Sequence, residues 1–84
     1  MRIELTSAAR RELKKLRRNA KLASRLKQVL LRIGADPYIG KELEGEFEGV
    51  HSFRVGEWRI LYEIHSRELT VLVLEIADRK EAYR

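Results

Sequence analysis

The chain has 84 residues, 37% of them charged, a formal net charge of +5 and no cysteine. That length leaves room for one thin-cored domain spanning residues 1–84, because a short chain buries a small share of its surface. The missing cysteine removes a disulfide framework, a thiolate zinc site and a cysteine nucleophile together, and the longest apolar run, "LTVLVLEIA", is too short for a membrane span, so a soluble, cytoplasmic protein is expected.

In chain order, Ile3 and Leu5 alternate with Arg2 and Glu4, which predicts a short strand. Thr6 or Ser7 offers an N-cap for a helix. Ala9, Leu13 and Leu16 recur at helical spacing, a break falls near Arg18-Asn19, and Leu22, Leu26, Val29, Leu30 and Ile33 form a second series. This predicts a helical hairpin or one kinked helix. Arg10, Arg11, Lys14, Lys15, Arg17, Arg18, Lys21, Arg25, Lys27 and Arg32 would form a basic ridge along it. Residues 1–41 carry twelve Lys/Arg against three Asp/Glu, and residues 42–84 carry six against ten. A basic half of this kind suits a polyanion, whose counterions it displaces; it equally suits a solvated helix surface. Gly34 is expected to cap the second helix in the left-handed conformation, and Pro37 to prevent its resumption.

Residues 38–49 read as a loop leading into an edge strand. Glu42, Glu44, Glu46 and Glu48 recur every second residue, so an extended backbone would gather four carboxylates on one side, either as a solvated edge or as a wall against RNA. Three strands then follow, at 50–55, 58–64 and 69–76. The last is apolar on both parities, which predicts cover on both faces and a place near the sheet centre. The order gives an α+β fold: N-terminal strand, two-helix hairpin, then three antiparallel strands, with the helices on one face of the sheet.

The segment "HSFRVGEWRILYEI" carries the most information. A two-residue type II′ turn at Gly56-Glu57 would pair Val55 with Trp58, and the remaining register is then set: Arg54 opposite Arg59, Phe53 opposite Ile60, Ser52 opposite Leu61, His51 opposite Tyr62. His51, Phe53, Val55, Trp58, Ile60 and Tyr62 then share the helix side, and both arginines the other. Directly opposed guanidinium groups repel. An anion between them reverses the sign, since each fork suits the oxygens of a phosphate; neutralisation by Glu63, Glu75 or Asp78 is the alternative.

"GVHSFRVGEWRILYEI", the apolar strand after it and "ADRKEAYR" resemble the RelE/ParE superfamily of microbial toxins from toxin-antitoxin systems. The likeness extends to the N-terminal strand, the basic helices and the "LEG" turn at Leu43–Gly45, with the hairpin as its specific part. The resemblance implies a RelE-like fold and, in the RelE branch, an endonuclease that enters the ribosomal A site and cuts mRNA through metal-independent attack by a 2′-hydroxyl. It also implies a cognate acidic antitoxin that silences the toxin. The family's basic active-site positions fall on Arg54, Arg59 and Arg79, and its C-terminal tyrosine on Tyr83. Lys41, close to the "LEG" turn, is a candidate secondary phosphate contact or a solvated loop lysine, and Lys80 and Arg84 are further candidate RNA contacts. The chain departs from the pattern at Ser52 and Glu44, where family members often or sometimes carry a base. Two rivals stand beside this reading: a ParE-like inhibitor that binds DNA gyrase, and a catalytically weak relative.

The other candidates point to structure. His51 projects with the core aromatics, so a hydrogen-bonded, partly buried histidine is expected; His65 falls in a polar turn; Trp58 and Tyr62 belong under the helices. Ser7, Ser24 and Ser52 lack the neighbours of a nucleophile. Two histidines far apart in the chain give no metal-ligand spacing, and no cofactor is expected.

Overall fold

The structure, a computed structural model, describes residues 1–78. Arg79, Lys80, Tyr83 and Arg84 lie outside the described residues. The elements are β1 (Arg2–Leu5), α1 (Ser7–Lys15), α2 (Ala20–Ala35), β2 (Lys41–Glu42), β3 (Val50–Val55), β4 (Trp58–His65) and β5 (Thr70–Asp78), with short 3-10 turns at Leu16–Arg18, Pro37–Ile39 and Gly45–Phe47.

Thr6 begins the helical half. Its extended backbone leaves the hydroxyl free to accept from the Ala9 amide at 3.2 Å, which caps α1. Lys14 and Lys15 close the same helix, where cations favour the exposed carbonyls. The expected break is a 3-10 turn ending at Asn19, whose side chain accepts from the Leu22 amide at 3.2 Å and starts α2. All ten cations of the predicted ridge are exposed.

Gly34 does not cap α2. It lies within the last helical turn, buried, and a Cβ there would stand 3.0 Å from the Met1 carbonyl and 3.3 Å from Ile3 Cγ1. Close approach of β1 is the reason for glycine here. The helix stops instead at Asp36, whose carboxylate accepts from the Tyr38 amide at 3.2 Å, with buried Pro37 between them.

The sheet runs β1-β5-β4-β3-β2, with β1 parallel to β5 and the other pairs antiparallel. Ala9, Leu26, Leu30 and Ile33 of the helices pack on Val55, Ile60, Tyr62, Val71, Val73 and Ile76 of the sheet. Burial of this apolar surface at about 25 cal/mol per Å² is the main stabilising term.

β5 is interior, as expected, but the apolar residues on both its parities have another cause. The ladder with β4 pairs Leu61 with Glu75 and Tyr62 with Val73, so Leu74 is an extra residue. This β-bulge shifts the inward parity from Val71 and Val73 to Ile76, all three fully buried, while Leu72 and Leu74 are half-buried and Glu75 is exposed. Thr6 stabilises the irregularity: its hydroxyl donates to the Leu74 carbonyl at 2.7 Å and its amide to the Val73 carbonyl at 3.0 Å. Leu69, expected to open this strand, sits before it in the turn at φ 49°.

The four-glutamate wall does not form. Only Lys41–Glu42 is strand, and Gly45 (φ 72°) and Gly49 (φ 89°) bend the chain through the 3-10 turn between them. Glu42, Glu44, Glu46 and Glu48 are all exposed, and three of them, Glu42, Glu44 and Glu48, border one shallow depression beside the bend. No helix among the described residues is long and apolar enough to cross a membrane.

Candidate nucleic-acid interface

The hairpin forms in the expected register, with Val55 opposite Trp58, Arg54 opposite Arg59 and His51 opposite Tyr62. Gly56 has φ 62° and Glu57 stays at negative φ, the signature of a type II′ turn and not of type I′. Branched and aromatic residues on both strands supply the β preference. Their inward members, Val55, Ile60 and Tyr62, are buried against the helices and lock the pairing.

The outward side of the same strands carries the candidate chemistry. Arg54 is exposed and Arg59 half-buried. Lys41 pairs with Ser52 and so joins this side. Together with Ile39 and Leu43, these residues border an open groove of about 580 Å³ that has three cations and no carboxylate in its lining. Among the described residues Arg54 makes no hydrogen bond or ion pair. Glu63, one of the candidate neutralisers, holds His65 Nε2 at 3.0 Å through its Oε1.

Lys41 is placed by the core. The Tyr62 hydroxyl donates to the Pro37 carbonyl at 2.7 Å and accepts from the Gly40 amide at 3.0 Å, pinning the segment that delivers β2 to the sheet edge. A side chain on Gly40 would collide with that hydroxyl. Burial pushes the Tyr62 phenol above its ordinary range; the Gly40 amide opposes the shift and the Asp36 carboxylate adds to it. His51 stacks on Tyr62 with ring centroids 5.4 Å apart and meets Tyr38 edge-on at 6.2 Å. It is buried as expected, but its Nδ1 has no hydrogen-bond partner among the described residues. His65 ends β4 instead of occupying the turn.

Ser52, the departure from the family's basic pattern, sits in the groove wall beside Lys41. Glu44 lies outside it, in a neighbouring depression with Glu42 and Glu48, and Leu43 borders both. The sequence placed Arg25 and Arg32 on the helical ridge but missed that they lean toward the hairpin. Arg32 Cζ is 5.7 Å from the centroid of the Phe53 ring, a cation–π distance. The signal was their spacing of seven on α2, with Val29 between them facing the core.

Three comparisons with known proteins bear on this geometry. The family model described as ParE toxin of type II toxin-antitoxin system, parDE, matches residues 3–83. Toxin RelG of Mycobacterium tuberculosis is 34% identical over 83 residues, covering 98% of this chain and 94% of RelG. A crystal structure of the toxin-antitoxin complex RelBE2 from the same organism contains a chain that superposes with TM-score 0.83 at 30% identity, over 93% of this chain and 96% of that one. The isolated RelE toxin of E. coli superposes with TM-score 0.80 at 21% identity, over 98% and 89%, a likeness of fold.

Proposed function

The chain belongs to the ParE toxin family of type II toxin-antitoxin systems, among the RelE/ParE-like toxins, and we propose that it is a ribosome-dependent mRNA endonuclease acting as one domain over residues 1–84. The observation that carries this reading is the pairing of Arg54 with Arg59 on the outward side of the hairpin, next to Lys41, in a groove whose lining has no carboxylate. Similarity to RelG along nearly the whole chain supports the RelE branch.

The chemistry is attack by an RNA 2′-oxygen on the adjacent phosphorus, in line with the departing 5′-oxygen. The 2′-hydroxyl loses its proton, the 5′-oxygen leaves and gains one, and the phosphate closes as a 2′,3′-cyclic diester. Arg59 holds the scissile phosphate and stabilises charge on the crowded phosphorane. Arg54 grips the neighbouring backbone, and Lys41 adds a contact where β2 meets Ser52. By family resemblance Arg79 shares the phosphate and Tyr83 stacks on a base or moves a proton; Lys80 and Arg84, beside them in the sequence, add contacts to RNA. Work as a base at neutral pH would require nearby arginines to lower the phenol's ordinary pKa of about 10.

The partner class is inferred from charge and from the neighbours, one of which is a toxin-antitoxin complex. An acidic antitoxin segment that gains order on binding suits a basic domain of this size.

Primer-extension mapping of transcripts, with and without translation, tests the assignment. Cuts that require translation and vanish in Arg59→Ala are expected; equal cutting by parent and variant overturns it. The ParE description of the matching family model favours one second reading, inhibition of DNA gyrase by binding. Loss of supercoiling without mRNA cleavage would establish that reading.

A further inference from the structure

β2 covers β3 only at His51 and Ser52, so among the described residues the edge of β3 from Phe53 to Val55 has no strand beside it. A second groove, of about 350 Å³, occupies that position between the strand edge and α2; Arg25, Gln28, Arg32, Phe53, Arg54 and Gly56 help to line it. Positions 25, 28 and 32 recur at helical spacing and share one side of α2. The Arg25 guanidinium lies over the hairpin turn, 3.9 Å from where a Cβ on Gly56 would stand. Arg32 covers the Phe53 ring. Three arginines therefore converge with no carboxylate in the lining, and none of the three makes an ion pair among the described residues.

We propose that this groove is a second phosphodiester-binding subsite, in which Arg25 and Arg32 take the backbone of a nucleic-acid strand as it passes from the Arg54–Arg59 face over the β3 edge. The inference rests on the reading of that face as a phosphate clamp, and Arg54 is the joint, since it borders both grooves. Planar forks favour phosphate oxygens. Guanidinium forks on phosphate oxygens do not read base edges, so recognition here is of backbone and independent of sequence.

The test is the salt dependence of binding to a short 2′-O-methylated oligonucleotide, which cannot be cleaved and so reads the subsite whether or not the chain is a nuclease. Each phosphate contact with a single strand contributes a slope of about 0.7 in log K against log salt. Arg25→Gln/Arg32→Gln is expected to lower the slope by about 1.4 and the affinity roughly 25-fold at 0.1 M salt, alike for A-rich and C-rich strands. Arg67→Gln, in the turn at the other end of β4, should leave both unchanged. Circular dichroism and melting confirm that the exposed double variant folds. If the loss is confined to sedimentation with ribosomes, the phosphates are those of ribosomal RNA and the subsite stands. Parental slope and affinity for oligonucleotide and ribosomes alike overturn it. So does a loss seen only with an acidic antitoxin peptide, which assigns the groove to protein.

Discussion

Arg54 and Arg59 stand directly opposite each other across the β3–β4 ladder, two guanidinium groups on one side of a rigid sheet. Like charges at such a position repel, and an anion placed between the two forks reverses the sign. Arg54→Thr removes the repulsion and places a β-branched residue in the strand. The variant should gain up to about 1 kcal/mol in urea denaturation at low salt, less at high salt, while its mRNA cleavage falls. Unchanged stability with full cleavage would detach Arg54 from both roles.

Arg59→Ala is expected to lower the single-turnover cleavage rate by about 10²–10³, the usual loss when one preorganised donor to a developing anion is removed. Arg59→Lys should recover only part of this, because an ammonium carries the charge without the planar fork. Full recovery by lysine would reduce the contribution of Arg59 to bare charge.

Tyr62 links the core to the groove through its two hydrogen bonds to the 37–40 segment. Tyr62→Phe leaves the Gly40 amide and Pro37 carbonyl without their partner and should cost about 1–3 kcal/mol. The raised phenol sets the sign of the pH effect. Below about pH 10, the ordinary value, the phenol is neutral whether the chain is folded or not, and the contribution is complete. Above it the unfolded chain loses the proton first, so stability falls as pH climbs toward the folded value. Parent unfolding free energies should drop over that alkaline window, and those of Tyr62→Phe should drop less.

Thr6 caps α1 and also satisfies the carbonyl of the bulge residue Leu74. Thr6→Val keeps the shape and loses both bonds, at an expected cost of about 2 kcal/mol. Thr6→Ser keeps the hydroxyl and should stay within about 0.5 kcal/mol of the parent. Equal stability of valine and parent proteins in denaturant would show that neither bond matters.

Leu69 holds φ 49° while 66% exposed, a conformation that strains a leucine without burying it. Leu69→Asn should raise the unfolding free energy by about 1 kcal/mol; a loss would mean that the leucine packs in a way its exposure does not convey.

The hairpin was legible because three independent signals agreed: a glycine at the one turn position needing positive φ, alternation on both strands, and a buried inward set. One register satisfies all of them. The face shared by Arg54 and Arg59 came with it. β5 was legible as a strand and not in its facing, since a bulge has no period and Leu74 resembles any other apolar residue. Gly34 misled for a related reason: glycine serves a left-handed cap or a close contact equally well, and the contact, with Met1 and Ile3, is distant in sequence. The alternating glutamates promised a wall only if extended; Gly45 and Gly49 bend the segment, and Glu42, Glu44 and Glu48 gather around a depression instead. The partner of Lys41 was hidden because a two-residue strand leaves no pattern. Arg25 and Arg32 had a pattern, but nothing local tells which way a helix turns its cations. Arg79 and Tyr83 were expected from resemblance alone.

The parallel pairing of Arg2–Leu5 with Thr70–Val73 also governs when the molecule exists at all. During synthesis the opening segment and both helices emerge well before the strands their apolar sides need, and the long-range pairing that completes the sheet forms last and slowly. A chain stopped before Thr70 lacks that closing strand and with it the Val71, Val73 and Ile76 surface on which Leu26 and Ile33 pack, so it is expected to stay unfolded.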